Sequence, residues 1–370
     1  MKIGIDIRST LKPERTGIGQ YTFNLISSLA EIDHHNRYLL YGRIKPFSRK
    51  KNPKIRAKNF RFFTERLRLR PEAFFERVDL YHTSSYDLLP PKNKKLVLTI
   101  HDVIVKAFPQ GHSVETVKET ERTIARALEQ VSGLIVDSEN TRKDIFKWFK
   151  FPESRIRVIH LGAGKEFYVL SDKQKSSGLN IARNYGIEDK FILFVGTIEP
   201  RKNLSNLIQA FKILKDRYQI KHKLVIVGMK GWDTDKINEL VGSSGIDKEI
   251  IFTGYLKQNM INLFYNLADC FIYPSLYEGF GIPIVEAFHA GSAVITSNCS
   301  SCAEVAGNAA LLVDPYSIEE ISEAMFKIIS DNKLNLELRK KAINRARDFS
   351  WDITARKTLN FFQEIYKSSR

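Results

Sequence analysis

Cysteine is scarce, with three in 370 residues, and that excludes a disulfide-stapled scaffold, which needs a paired and usually larger set. Two of the three form Cys299-Ser-Ser-Cys302. A structural zinc needs four nitrogen or sulfur ligands, and only Cys270 remains among the thiols. The pair is therefore expected to fill a loop rather than to serve redox or metal chemistry. Long apolar runs are missing too: none approaches the roughly 18 residues that cross a bilayer. The stretch Met1 to Arg8 is charged along its length and too short in apolar residues for a signal peptide. It reads as a buried first strand, and cytoplasmic residence is the expectation. Repeats and low-complexity tracts are absent.

Acidic residues are thin in one half of the chain. The formal net charge is +16, and residues 1–180 hold 34 Lys and Arg against 20 Asp and Glu, whereas 181–370 hold 24 against 22. The excess is densest from Tyr41 to Arg70, where twelve basic residues (among them Arg43, Lys45, Arg49, Lys54, Arg61 and Arg68) face Glu65 alone. Phe47, Phe60, Phe62, Phe63, Leu67 and Leu69 interleave with them. Such a segment suits anionic lipid, a polyanionic acceptor or nucleic acid; a solvated loop and helix face is the plainer alternative. No recognisable nucleic-acid-binding module accompanies it. The expectation is peripheral contact with anionic membrane through residues 41–70, on the inner face of the plasma membrane, and no nucleic-acid partner.

A chain of this length exceeds the comfortable size of one hydrophobic core, so two domains are expected. Short β-branched runs alternate with longer helical stretches. Ile192-Leu-Phe-Val195 and Leu224-Val-Ile-Val227 are apolar without interruption, as strands buried on both faces are. Asn203 to Tyr218 places Leu204, Leu207, Ile208, Phe211 and Leu214 on one helical face. This alternation predicts an α/β protein with parallel, doubly wound sheets. It lapses between Gly164 and Lys190, where Lys173 to Gly178 is polar and turn-rich. The expected domains are 1–170 and 187–350, joined by a linker at 171–186, with a C-terminal helix over 351–370 returning towards the first domain. Ligands of open α/β sheets bind outside the carboxyl ends of strands, so two such domains facing across a cleft would place the site between them.

Three strand-end loops carry the chemistry. The first, Arg15-Thr-Gly17-Ile-Gly19-Gln-Tyr21, leads into a helix expected to begin near Gln20. Gly17 and Gly19 would let backbone N–H groups approach an anion at a helix N-terminus. Thr22 stands where a dinucleotide fingerprint needs its third glycine, which argues against a dehydrogenase. The second loop, Gly196-Thr197-Ile-Glu-Pro-Arg201-Lys202-Asn203, brings two cations to a helix start for which Asn203 is the expected N-cap. Fixed cations there suit a diphosphate without a metal. The third runs from Tyr273 through Glu278-Gly279-Phe280-Gly281-Ile282-Pro283 to Glu286. Its glycines free backbone N–H groups for a ligand, and Pro283 fits the first turn of a helix. Carboxylates accept hydroxyls in pairs, the usual way to hold sugar diols; one glutamate on a hexose and one on a ribose would span a sugar nucleotide.

This third segment resembles the E-x7-E signature of the retaining glycosyltransferases of family 4 (glycosyl transferases group 1). That family includes sucrose synthases, phosphatidylinositol mannosyltransferases and many bacterial polysaccharide transferases. The resemblance extends to Gly196–Asn203, Phe252-Thr-Gly-Tyr-Leu256, Asp137-Ser-Glu-Asn-Thr-Arg-Lys-Asp144 and the terminal Ser350-Trp351 helix. It looks closest to the bacterial O-antigen and capsule mannosyltransferases. The resemblance implies a GT-B fold of two Rossmann-like domains. It implies Glu278 on the donor sugar's hydroxyls and backbone N–H groups from Phe280, Gly281 and Ile282. Arg201 and Lys202 would hold the diphosphate, Glu286 the ribose, and Tyr255 and Leu256 would flank the base. His101, in Thr99-Ile-His-Asp102, is similar to the family histidine that reaches the sugar, with Asp102 expected to orient its ring. Ser301-Cys-Ala-Glu304-Val305 departs from the Leu-Pro that relatives carry before this glutamate, at the edge of the donor pocket. Asp233-Thr-Asp235 matches D-x-D but is expected to cap a helix instead.

The expected activity is therefore hexosyl transfer with retention from a nucleotide sugar, GDP-mannose or a UDP-sugar such as UDP-glucose. The acceptor would be a glycan or lipid-linked glycan. No metal or cofactor is expected, since Arg201 and Lys202 would take up the charge that develops on the leaving diphosphate. The rivals are a sugar-nucleotide epimerase and a non-catalytic glycan or anionic-lipid binder.

Overall fold

The computed structural model describes residues 1–11, 17–43, 53–65, 72–87, 89–111, 113–188, 190–232 and 234–368. Arg15, Asp233 and part of the basic stretch (residues 44–52 and 66–70) lie outside the described residues. The chain divides into two compact units, Met1–Gly162 with Ser350–Arg370, and Ala163–Phe349.

The first unit is a seven-stranded parallel sheet of order β3-β2-β1-β4-β5-β6-β7. Its strands are β1 Lys2–Asp6, β2 Arg37–Arg43, β3 Phe60–Glu65, β4 Leu80–Thr83, β5 Lys95–Ile100, β6 Gly133–Val136 and β7 Ile156–Val158. On β5 the two-residue period sends Leu96, Leu98 and Ile100 into a core with Phe74, Ile124 and Ile145. Thr99 between them faces the other layer, where its hydroxyl meets that of Tyr21 on the helix Gly17–Ile32. The C-terminal helix Trp351–Lys367 packs beside that helix. Glycine is required where it crosses β6, because a Cβ on Gly133 would stand 2.6 Å from Phe361 Cζ.

The second unit is a six-stranded parallel sheet of order β10-β9-β8-β11-β12-β13. Its strands are β8 Phe191–Val195, β9 Lys223–Val227, β10 Ile250–Gly254, β11 Cys270–Tyr273, β12 Val294–Ser297 and β13 Ala310–Val313. Strand order reverses direction at β1 in the first sheet and at β8 in the second. Successive connections therefore diverge there, opening a crevice at the carboxyl edge.

Three expectations need correction. The segment 171–186 is not a linker between the units: Asp172–Arg183 is a helix, started by a capping box in which Ser171 and Gln174 satisfy each other's backbone N–H groups. Its Gly178 packs so closely on Leu263 that a Cβ would come within 2.3 Å of a methyl group. The helix belongs to the second unit, and the boundary falls at Gly162–Ala163. The first glycine-bearing helix begins at Gly17, not near Gln20, so Gly19 lies buried in its first turn.

Candidate active site

The crevice of the second unit lies between the loops that follow β8 and β11. The β8 loop runs along the end of β9, with Gly196 N donating to Val227 O at 2.9 Å and Ile198 N to Met229 O at 3.1 Å. That path exists only because two neighbours lack side chains. A Cβ on Gly228 would stand 1.9 Å from Gly196 O, and one on Gly231 2.2 Å from Ile198 O. Both obstacles are backbone and cannot swing away. Gly228→Ala is therefore expected to cost about 1–3 kcal/mol of stability and to shift the Gly196–Thr197 turn, read out as lower thermal stability and weaker nucleotide binding.

The loop ends in a single 3₁₀ turn, Pro200–Lys202. Asn203, expected as an N-cap, makes no capping bond; it holds a left-handed φ of 62°. Its amide donates instead to Pro315 O at 2.6 Å and Pro274 O at 3.1 Å, stitching the β8 loop to the loops after β11 and β13. Leu276 N adds a bond to Arg201 O at 2.8 Å.

These ties converge Arg201, Lys202 and Glu278. Lys202 Nζ donates to Glu278 Oε1 at 2.6 Å, and Arg201 Nη1 to Oε2 at 2.6 Å. Arg201 Nη2 meets Glu199 Oε1 at 2.6 Å. Tyr273 Oη accepts from Lys202 and donates to Glu278 Oε1. Lys202 and Glu278 are each 6% exposed, so these charges attract one another with little screening. Burial works to raise the Glu278 carboxyl, but Lys202 and Arg201 outweigh it and hold the group down at about 2. Burial lowers Lys202, with Glu278 opposing. Arg201 keeps part of its side chain at the surface. The result is two cations balanced by two carboxylates at a strand-order switch, able to meet hydroxyls and phosphate oxygens together.

Glu278 leads into the helix Ile282–His289, whose N-cap Gly281 has a left-handed φ of 96° and no side chain to occupy the first backbone donors. Glu278 is itself pinned, its N–H donating to Ser300 Oγ at 3.2 Å and its carbonyl accepting from Ser301 Oγ at 2.9 Å. Glu286 sits one turn into the helix, where Tyr265 Oη donates to its Oε2 at 3.3 Å. Burial, reinforced by Glu166, pushes its carboxyl up to about 8 despite that bond. Gly196 and Thr197 are half-buried at the mouth of the loop. At the end of β10, Tyr255 is 63% exposed and Leu256 is buried.

Gly17, Gly19 and His101 belong to the first unit. His101 follows β5, and its Nδ1 lies 2.6 Å from Asp137 Oδ2, just past β6. Asp102, expected to orient the ring, instead accepts from the backbone N–H of Ile104 at 3.1 Å. The ring's partner is instead the residue that follows the neighbouring strand. At the β1–β4 switch a cavity of about 300 Å³ is lined by Asp6, Arg8, Thr22, Thr83, Ser84 and Asp87. Arg8 bridges the carboxylates of Asp6 and Asp87 there.

Sequence reasoning missed Tyr273, Glu199, Ser300, Tyr265 and Asp137 as members of these clusters. Tyr273 and Asp137 carried a signal, since each stands at the carboxyl end of an apolar run. Among the described residues no group of three or more His, Cys, Asp or Glu side chains could hold a metal ion. Cys299 and Cys302 are free thiols, and Thr234 bonds back to Gly231 at the start of the helix Thr234–Ser244. No helix among the described residues is long and apolar enough to cross a membrane.

Comparison with known proteins adds the family. The model for glycosyl transferases group 1 matches residues 180–349, and that for glycosyltransferase family 4 matches residues 15–165. The chain is 28% identical over 285 residues to the O-antigen chain mannosyltransferase B of Escherichia coli, covering 77% of this chain and 74% of that one. It is also 28% identical over 304 residues to the serotype-specific mannosyltransferase WbdA of Escherichia coli, but spans only 37% of that protein's length. Among solved structures, Anabaena Alr3699/HepE in complex with UDP and glucose superposes with a TM-score of 0.75 over 98% of this chain and all of that one, at 16% identity. At that identity the likeness is one of fold.

Proposed function

We propose, because this chain belongs to the family 4, group 1 glycosyltransferases, that it transfers mannose from GDP-mannose to a glycan or lipid-linked glycan in the synthesis of a bacterial surface polysaccharide. The glycosyltransferase activity is the family's; donor, acceptor and mechanism are the proposal. What supports mannose is the match to the O-antigen chain mannosyltransferase B over most of both chains. A UDP-sugar donor is the second reading, since Alr3699/HepE holds UDP and glucose on the same fold. Thermal stabilisation by GDP-mannose, UDP-glucose and UDP-N-acetylglucosamine separates the two, because only a bound donor raises the melting temperature. A shift with a UDP-sugar and none with GDP-mannose removes the mannose assignment.

In this reading the charges of Arg201 and Lys202 turn from Glu278 towards the diphosphate as it leaves, and Glu278 takes the hexose hydroxyls. The acceptor hydroxyl attacks from the face the diphosphate vacates, giving retention without a covalent nucleophile. The departing oxygen takes its proton. The N-terminal donors of the helix Ile282–His289 would meet the diphosphate, and Glu286 the ribose. Because fixed cations carry the neutralisation, activity should withstand EDTA; loss restored by magnesium or manganese would count against this part. Lys54, Arg56, Lys58 and Arg61 are exposed and suit an anionic membrane surface. Sedimentation with phosphatidylglycerol vesicles at low salt is expected, and its absence would remove the membrane contact.

A further inference from the structure

We propose that Asp137 is a positioning residue that holds the His101 ring in one orientation and one tautomer, leaving Nε2 as the nitrogen offered to the sugar. The inference rests on the glycosyltransferase reading above and takes the placing of His101 at the reaction from the family resemblance of Thr99-Ile-His-Asp102; the pairing itself stands on geometry.

Strands β5 and β6 are paired in parallel with Ile100 opposite Val136, so the next residue of each, His101 and Asp137, leaves the sheet side by side. His101 Nδ1 and Asp137 Oδ2 are 2.6 Å apart, the short separation of a charge-assisted bond. Asp137 is 1% exposed and its Oδ1 has no partner among the described residues. A carboxylate so desolvated, hydrogen-bonded to one imidazole, is a poor device for stability. It is an effective one for fixing a ring. The ring's other side is held by Tyr21, edge-on with centroids 4.6 Å apart. Tyr21 is anchored in turn by its hydroxyl on Thr99, 3.1 Å away, and Thr99 by His82 Nε2 at 2.9 Å. His101 Nε2 is buried, with no hydrogen-bond partner among the described residues. A histidine with one nitrogen committed and the other unspent is the arrangement in which the second partner sets the tautomer.

The electrostatics agree. Burial works to lower the His101 imidazole, but Asp137 outweighs it and Asp102 adds to the rise. Burial raises the Asp137 carboxyl, with His101 and His160 opposing and Asp102 adding. His82, which holds Thr99, is driven down to about 3 by burial and by His101, and stays neutral. Tyr21 is likewise kept protonated by burial. Among these neighbours Asp137 alone makes a hydrogen bond to the ring.

The test is ¹⁵N NMR of the histidine rings in the intact protein, with the His101 signals identified by their loss in His101→Gln. In the wild type the neutral ring should carry its proton on Nδ1; an Nε2-protonated neutral ring overturns the proposal without any change at Asp137. Asp137→Asn should move the His101 titration to lower pH, with Asp137→Glu recovering part of it. An unmoved titration in a folded Asp137→Asn also overturns it. Kinetically, Asp137→Asn should lower kcat by about 10–100-fold and move its pH profile in the same direction, with donor KM within about threefold. Should the NMR outcomes hold while His101→Gln turns over normally, the pairing stands and the placing of His101 at the reaction fails.

Discussion

Lys202→Ala is expected to lower turnover by about 10²–10³-fold, the usual cost of removing a preorganised donor from developing negative charge, while acceptor KM stays within about threefold. The asymmetry follows from position. Lys202 is buried beside Glu278 and Tyr273, in the cluster assigned to the donor. The substitution also removes one of the two cations that balance the buried Glu278 carboxylate, so a stability loss of about 3–5 kcal/mol is expected alongside. Lys202→Arg separates the two effects, because it restores a charge without the compact ammonium geometry. Single-turnover rates measured well below the variant's melting temperature are the readout. A folded Lys202→Ala protein with wild-type turnover would falsify the phosphate role.

Glu286 carries the second large effect. Burial pushes its carboxyl up to about 8 in the folded protein, against 4.5 in an ordinary exposed glutamate. Ribose hydroxyls donate to a carboxylate but compete with a proton for it. Nucleotide affinity should therefore rise with pH, being about tenfold weaker at pH 7 than above pH 9. Glu286→Gln should flatten that dependence, and Glu286→Ala should weaken nucleoside-diphosphate binding by about 10–100-fold, the loss of a pair of charge-assisted bonds. The same shift acts on folding in the opposite sense. Between pH 4.5 and 8 the folded state binds a proton that the unfolded chain has released, so stability falls as pH rises through that window and levels off above it. Glu278 behaves the other way: its depressed value contributes stability above about pH 4.5 that is lost as the pH falls towards 2. Calorimetric titration with a nucleoside diphosphate from pH 6 to 9 decides the point, and a flat profile for the wild type would remove the ribose assignment.

Much of the architecture was legible residue by residue. Uninterrupted apolar runs such as Phe191–Val195 and Cys270–Tyr273 are strands with those bounds, since a strand covered on both faces has no polar position to spend. The loops after β8 and β11 were found for the same reason: they follow such runs directly. Local cues failed where a tertiary partner overrode them. Asn203 has the chemistry of an N-cap, yet two carbonyls from other loops claim its amide. Lys173 to Gly178 has linker composition, yet one capping box and the close packing of Gly178 on Leu263 make it a helix.

The sequence by itself determined the fold class, the family and the loops that hold Arg201, Lys202, Glu278, Glu286 and His101. It did so because periodicity and loop composition are local properties of the chain. It assigned the cations to a phosphate and Glu278 to a sugar as separate tasks. Only the tertiary structure decided that they form one cluster, since Lys202 and Glu278 are 76 residues apart in the chain and meet where β8 and β11 lie side by side. Likewise it gave His101 its partner from β6 and not from the next residue along. Burial, too, is a tertiary property: the same residue type is held at about 2 at position 278 and pushed to about 8 at position 286, because one carboxylate is desolvated among cations and the other without them.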